Sequence, residues 1–288
     1  MNSFDEVCIV HHSLLPRAAD LAAQITAKYK GRCRWWSANE ATVAGDETGD
    51  RLRNTDLIIT IGGDGTILRG MHSAIAHGIP VLGVNMGRVG FMSEIDSGDA
   101  LEEIAWYLDG NGRIDERVML EAKLGGGKAS YHALNDVTVH RGAELRMIEV
   151  RAVIDDVELS TFRGDGVIVA TSTGSTGYNL QLGGPVIDPN SSVFLLKPIA
   201  GHMSQFGGVV LDSISALELT LDTTADATLT IDGYISRTMH IGDSVRLTRS
   251  EHSARFLRRG PKSAYWEGLS DRLGMRIGAV RRGEGFGR

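Results

Sequence analysis

The feature that most constrains the fold is a glycine-rich turn between a run of β-branched residues and a helical pattern. It covers residues 56–68, Asp-Leu-Ile-Ile-Thr-Ile-Gly-Gly-Asp-Gly-Thr-Ile-Leu. Glycines let a backbone approach a ligand closely, and free amide N–H groups at a helix start attract phosphate. The lone carboxylate of Asp64 would repel an anion, yet it suits a base that deprotonates a hydroxyl beside a bound phosphoryl group. These residues alone leave two interpretations equally open: phosphoryl transfer to an alcohol, or a tight turn that Asp64 caps.

Composition narrows the class of protein. The formal net charge of −6 argues against a nucleic-acid-binding surface. Cys8 and Cys33 are too few for a disulfide scaffold and suit a reducing compartment. The first residues show no signal-peptide pattern, and no apolar run approaches the ~20 residues of a membrane helix. We therefore expect a cytoplasmic enzyme that binds small molecules, with neither nucleic acid nor membrane as a partner.

The first part of the chain alternates between strand and helix patterns. Residues 7–10 and 57–61 read as buried strands, and residues 80–85 as another. Pro16 suits the first turn of a helix that follows the first strand. A second helix is predicted over 67–77. This alternation predicts an α/β domain with a parallel sheet, in which the turn after Ile61 lies at the ligand-binding carboxyl edge.

Beyond Gly112 the apolar period changes to two. Alternating segments at 118–124, 150–154, 217–221 and 245–247 are separated by turn signals such as Asp232-Gly233. This pattern predicts antiparallel strands and an all-β second domain. We predict an N-terminal α/β domain over residues 1–100, a β-domain over 101–262, and a tail over 263–288 that docks back on the first domain.

Two further stretches carry polar groups suited to a nucleoside. Residues 163–185 contain a buried strand followed by Thr-Gly-Ser-Thr-Gly-Tyr, whose hydroxyls and amides can contact phosphate and ribose. A Ser/Thr-capped turn with a core tyrosine is the weaker alternative there. Asn135-Asp136 could contact a base edge and a ribose diol. Taken alone, that pair is better explained as a turn before a strand.

Together, these stretches resemble the ordered motif set of NAD kinases. The resemblance is carried by Ile61 to Thr66, by the Asn-x-Gly-x-x-Gly-Phe turn at 85–91, by Asn135-Asp136, by Asp165-Gly166 and by residues 173–178. It implies an N-terminal α/β domain, a C-terminal β-sandwich and a site in the cleft between them. It also implies that Asp64 activates the 2′-hydroxyl of the adenosine ribose of NAD.

The family further implies ATP or inorganic polyphosphate as donor, Mg²⁺ or another divalent metal, and a homodimer or homotetramer. No metal-ligating residue is singled out by the sequence. The candidate nucleotide-binding residues are Gly62, Gly63, Gly65, Thr66, Arg69, Phe91, Asn135, Asp136, Arg146, Arg163, Asp165, Thr176, Gly177, Tyr178, Asn179, Gln181, Ala200 and Tyr234.

Two alternatives to an NAD kinase are kept at this point. A lipid or other small-alcohol kinase would share the Gly-Gly-Asp-Gly-Thr turn but would not explain residues 173–178. A non-catalytic NAD(P)-binding regulator is motivated only by departures from the usual pattern, Gly207-Gly208 and Tyr234.

Overall fold

The computed structural model describes residues 4–43, 46–87, 90–125, 127, 129–142, 146–201 and 206–274. The α-helices are α1 Pro16–Lys28, α2 Asp46–Leu52, α3 Asp64–Ala74, α4 Ala100–Leu108, α5 Tyr178–Gln181 and α6 Leu269–Arg272, with 3₁₀ turns at Ile75–His77, Thr173–Thr176 and Lys262–Tyr265. The strands are β1 Glu6–His11, β2 Arg34–Asn39, β3 Leu57–Gly62, β4 Val81–Asn85, β5 Ile95–Asp96, β6 Arg113–Arg117, β7 Leu120–Leu124, β8 Ser130–Ala133, β9 Asp136–Arg141, β10 Ile148–Ile154, β11 Val157–Gly164, β12 Gly166–Thr171, β13 Val193–Ile199, β14 Val209–Asp212, β15 Leu217–Leu221, β16 Ala227–Ile231, β17 Ile235–Met239, β18 Ser244–Arg249 and β19 Ala254–Arg258.

The first sheet has the order β2-β1-β3-β4-β19-β6, with β5 beside β4. Strands β1 to β4 pair in parallel, whereas β6 runs antiparallel to β19, so the sheet is mixed and mostly parallel. Helices α1 and α4 pack on one face and α3 on the other. Every residue of β3 is buried, as expected of a strand covered on both faces. The turn after β3 lies at the carboxyl edge of this sheet, as predicted.

The second half of the chain forms two antiparallel sheets. Their orders are β11-β10-β15-β18-β7-β8 and β14-β13-β12-β9-β16-β17. One apolar cluster between them collects the inward-facing residues of both sheets, including Val139, Val169, Leu219 and Leu247. The period-two pattern of the sequence therefore reports a β-sandwich, and the predicted fold class is confirmed.

Two details differ from the sequence-based expectations. Helix α3 begins at Asp64 rather than near residue 67, because Gly63 already has extended backbone angles and serves as its N-cap. Strand β19 lies between β4 and β6 in the first sheet, so the chain returns to that sheet after completing the sandwich. The predicted boundaries at 100 and 262 stay predictions. Of the predicted tail, residues 275–288 lie outside the described ranges.

Candidate active site

Asp64 is the first residue of α3, and its carboxylate is held by the backbone across the turn. The amide of Phe91 donates to Oδ2 at 2.9 Å, and the amide of Met92 donates to Oδ1 at 3.2 Å. The side chain is half-buried. A carboxylate offers about four acceptor positions, so two of them stay open. The carboxylate is thus fixed in orientation while it can still accept a proton.

Gly90 makes this arrangement possible. A Cβ atom at residue 90 would lie 2.1 Å from Oδ1 of Asp64, closer than any real contact. Only glycine therefore lets the loop after β4 come close enough to donate its amides to the carboxylate. This close approach explains the glycine at position 90 of the second turn.

A cavity of about 430 Å³ opens beside the same turn. Its lining includes Gly63, Gly65 and Thr66, which are predicted to contact donor phosphates, and Arg69, which is predicted to bind nucleotide. The N-terminus of α3 directs unpaired amides and a partial positive charge toward this space. Gly62 is buried at the end of β3, where a Cβ would overlap the side chain of Thr66. Gly62 therefore lets the Thr66 side chain pack against the backbone at the end of β3.

Glu40 lines the same cavity and was not predicted from the sequence. Its carboxylate accepts a hydrogen bond from Thr66 Oγ1, and Oε1 lies 3.3 Å from an Arg69 nitrogen and 3.7 Å from His12 Nε2. The Glu40 side chain is only 6% exposed. A buried carboxylate in a phosphate cradle is costly unless cations face it, and Arg69 supplies one. No signal marked Glu40, because it follows a strand in a polar stretch without a motif.

A second cavity, of about 700 Å³, lies in the sandwich domain. Its lining includes Asn135, Asp136, Asp165 and Tyr178, four residues for which contact with NAD is predicted. The Thr-Gly-Ser-Thr turn packs directly against Asn135. A Cβ at Gly174 would lie 2.0 Å from the Asn135 carbonyl oxygen. The two distant stretches therefore form one wall.

Asp232 organises that wall from within. Its Oδ1 accepts the amides of Asn135 and Asp136 at 2.7 and 3.0 Å, and its Oδ2 accepts the Leu134 amide at 2.8 Å. Burial, together with the nearby Asp232 carboxylate, raises the pKa of Asp136 from 3.8 to about 7. The sequence marked Asp232 only as a turn residue. Its hydrogen bonds to the amides of residues 134–136 depend on the pairing of β9 with β16, which no local sequence pattern reveals.

The comparisons with known proteins agree with this geometry. Residues 18–111 match the family model for the ATP-NAD kinase N-terminal domain, and residues 134–259 match that for the ATP-NAD kinase C-terminal domain. An NAD kinase of Dehalococcoides mccartyi is 39% identical over 280 residues, covering 94% of this chain and 96% of the relative. One from Heliobacterium modesticaldum is 41% identical over 223 residues, covering 76% and 79%.

This chain belongs to the NAD kinase family. Membership makes it a kinase that acts on NAD, and the comparisons support neither a lipid kinase nor a non-catalytic regulator.

Two solved structures extend the comparison. A structure of an Archaeoglobus fulgidus NAD kinase in complex with ATP aligns with a TM-score of 0.77 at 25% identity, covering 94% of this chain and 99% of that one. A yeast NADH kinase complexed with NADH aligns with a TM-score of 0.83 at 21% identity, covering 100% and 91%, and shows the shared fold.

Several predicted NAD kinase site residues lie away from the two cavities. The ring of Phe91 faces Arg272 at 6.0 Å and lines a small pocket with the C-terminal segment. Arg163 lies 3.8 Å from Glu149 on the exposed strand β11. Asn179 is buried and binds the carbonyls of its own loop. Their contacts with nucleotide stay predictions.

The other predicted residues have mixed surroundings. Gly177 adjoins the wall formed by Asn135 and the Thr-Gly-Ser-Thr turn, called the acceptor wall below, since a Cβ there would lie 3.9 Å from Asn135 Nδ2. Thr176 donates to the Thr173 carbonyl at 3.2 Å. Tyr234 packs against His72 from the first domain. The remaining three, all exposed, are Arg146, Gln181 and Ala200.

Two properties of the described residues bear on metal and membrane binding. No cluster of three or more His, Cys, Asp or Glu side chains suited to a metal is found among them. Within the same residues, no helix is long and apolar enough to cross a membrane.

Proposed function

We propose that this chain transfers the terminal phosphoryl group of ATP to the adenosine-ribose 2′-hydroxyl of NAD, with Asp64 as general base. The observation that carries the proposal is the Asp64 carboxylate. It is oriented by two amides and flanked by Gly63 and Gly65 of the donor cavity. A side chain so placed can accept a proton next to a phosphate cradle.

In the proposed reaction, proton transfer to Asp64 accompanies phosphoryl transfer to the ribose. The 2′-hydroxyl proton passes to an open oxygen of Asp64 as the ribose oxygen attacks the terminal phosphorus. The bond to the donor's bridging oxygen breaks, and the shortened phosphate leaves. Amides at the start of α3 stabilise the charge that develops on the transferred group. Asp64 holds the proton until it is lost to solvent.

The acceptor wall supports a dinucleotide as substrate. Asn135 offers an amide, Asp136 a carboxyl and Tyr178 an exposed ring within one cavity. These groups can hydrogen-bond a base edge and a ribose and stack on an adenine. This cavity adjoins the first domain, since His72 contacts Asp232 in its lining. ATP as donor is supported by the archaeal relative solved with that nucleotide, and polyphosphate stays an alternative donor.

A divalent metal fits the donor cavity. Mg²⁺ prefers oxygen ligands and is commonly held by one or two carboxylates together with substrate phosphates. Glu40 is a buried carboxylate in that cavity and would hold the ion together with the substrate phosphates. When bound, the ion would neutralise charge on the transferring phosphoryl group.

Three broader features belong to the same proposal. The division into domains at residues 100 and 262 is proposed from the change of apolar period along the sequence. Strands β6 and β19, which lie between these two boundaries, pair in the first sheet. A homodimer or homotetramer is supported by the family resemblance and by exposed apolar side chains on the sandwich, such as Val157 and Val210. A cytoplasmic location is supported by two free thiols, Cys8 and Cys33.

One assay tests the function against both alternatives. Purified protein is incubated with ATP, Mg²⁺ and NAD, and NADP is measured by a dehydrogenase that accepts only NADP. We expect NADP to accumulate in proportion to ADP. A protein that binds NAD tightly without forming NADP would support the regulator, and phosphorylation of a lipid without NADP would support the small-alcohol kinase.

A further inference from the structure

One polar contact joins the base-bearing helix to the NAD-facing turn. His72 lies on α3, eight residues after Asp64, and its Nε2 is 2.6 Å from Oδ2 of Asp232. The oxygens of Asp232 already accept three backbone amides, so the contact is a hydrogen bond in the tautomer whose Nε2–H donates to Oδ2. The two side chains are 11% and 0% exposed, and shielding from water strengthens such a bond.

Each end of this contact belongs to a different half of the site. On one side, α3 carries Asp64 at its start, about 12 Å along the axis from His72. On the other side, Asp232 holds the amides of residues 134–136. Helix α3 is rigid, and so is a carboxylate that accepts three backbone hydrogen bonds. The contact between His72 and Asp232 therefore couples the position of α3 to that of residues 134–136.

Aromatic packing covers the contact. The Tyr234 ring meets His72 edge-on, with centroids 5.0 Å apart and planes at 90°. The guanidinium of Arg69, one turn earlier on α3, lies 6.0 Å from the same ring. Arg69 also approaches Glu40 in the donor cavity. One face of α3 is therefore docked on the loop that ends β16, and no other role in the reaction accounts for His72.

We propose that His72 is a positioning residue for phosphoryl transfer. Through Asp232 it sets the distance and angle between the Asp64 carboxylate and the ribose held by Asn135 and Asp136. His72 itself touches neither nucleotide. Because an error of about 1 Å in such an alignment can cost a hundredfold in rate, loss of the contact lowers kcat much more than it weakens binding of either substrate. This inference rests on the Asp64 mechanism proposed above.

The experiment compares three variants in steady-state assays of NADP formation. His72→Ala removes the donor, and His72→Gln keeps an N–H that can reach Asp232. His77→Ala is the matched control, because His77 is exposed in the 3₁₀ turn that follows α3. For each, kcat, the two KM values and the thermal unfolding midpoint are measured.

We expect His72→Ala to lower kcat by between about tenfold and a hundredfold, with KM for ATP almost unchanged. His72→Gln should recover most of kcat, and His77→Ala should behave as the wild type. The inference is overturned if His72→Ala keeps its kcat, if glutamine and alanine lose kcat equally, or if the loss follows the unfolded fraction. Failure here leaves the base assignment intact, since that assignment depends on the separate behaviour of Asp64→Asn.

Discussion

At the scale of single residues, the site depends on the absence of a side chain at Gly90. The donation of two amides to Asp64 requires the loop at Gly90 to approach the carboxylate. The sequence singled out both glycine turns and predicted Asp64 as the base. It could not show that the second turn serves the first, because the two turns are adjacent only through the pairing of β3 with β4.

Gly90→Ala tests this close approach. The new Cβ would lie 2.1 Å from Oδ1 of Asp64, so the loop or the carboxylate must move, and either movement weakens the two amide hydrogen bonds. We expect kcat to fall by about tenfold or more, with little change in the thermal midpoint because a surface loop can shift. Gly98→Ala is the control, since nothing lies within 4 Å of a Cβ there. Equal activity of the two variants would show that the contact does not orient the base.

At the scale of elements, alternation and glycine turns predicted most of the architecture. Pro16 begins α1 and Gly78 ends the helical segment after α3, with φ of 63°. The turn signal at Asp232-Gly233 is also present, with φ of 50° and 75°. What could not be predicted was strand pairing. Asp136 begins β9 and Asp232 follows β16, and only their antiparallel pairing brings the two carboxylates together.

This pairing predicts a pH dependence of stability. The folded-state pKa of Asp136 is about 7 against 3.8 in the reference state, so the folded protein holds a proton that the unfolded chain has lost. The contribution of Asp136 to stability is therefore fully present below pH 3.8 and is lost as pH rises toward 7. Its slope has an upper bound of ~1.4 kcal/mol per pH unit.

Asp136→Asn removes this titration. Compared with the wild type, the variant should become relatively more stable as pH rises from about 4 to about 7. Urea unfolding at several pH values measures the difference between the two proteins. A difference that stays constant across this range would contradict the shifted pKa. Other carboxylates lower the free energy of unfolding at acidic pH in both proteins, so their effect cancels when the two proteins are compared.

At the scale of the whole molecule, the two halves of the site come from different domains. The first sheet carries Asp64, the proposed base, beside the cavity proposed for the donor, and the sandwich carries the wall proposed for the acceptor. The family resemblance predicted this division. The return of the chain as β19 into the first sheet was not predicted. Residues 254–258 follow β18 in the sequence without a helix between the two strands, so no strand–helix alternation indicated a parallel pairing.

The most direct test of the account is Asp64→Asn. Asparagine keeps the shape of the side chain but cannot take up the ribose proton, so turnover to NADP should fall by about 10²–10⁴-fold. The dissociation constant for NAD, measured by calorimetry, should stay close to the wild-type value. Asp20→Asn, which changes an exposed carboxylate on α1, should alter neither quantity. Wild-type turnover by a folded Asp64→Asn protein would contradict the central claim.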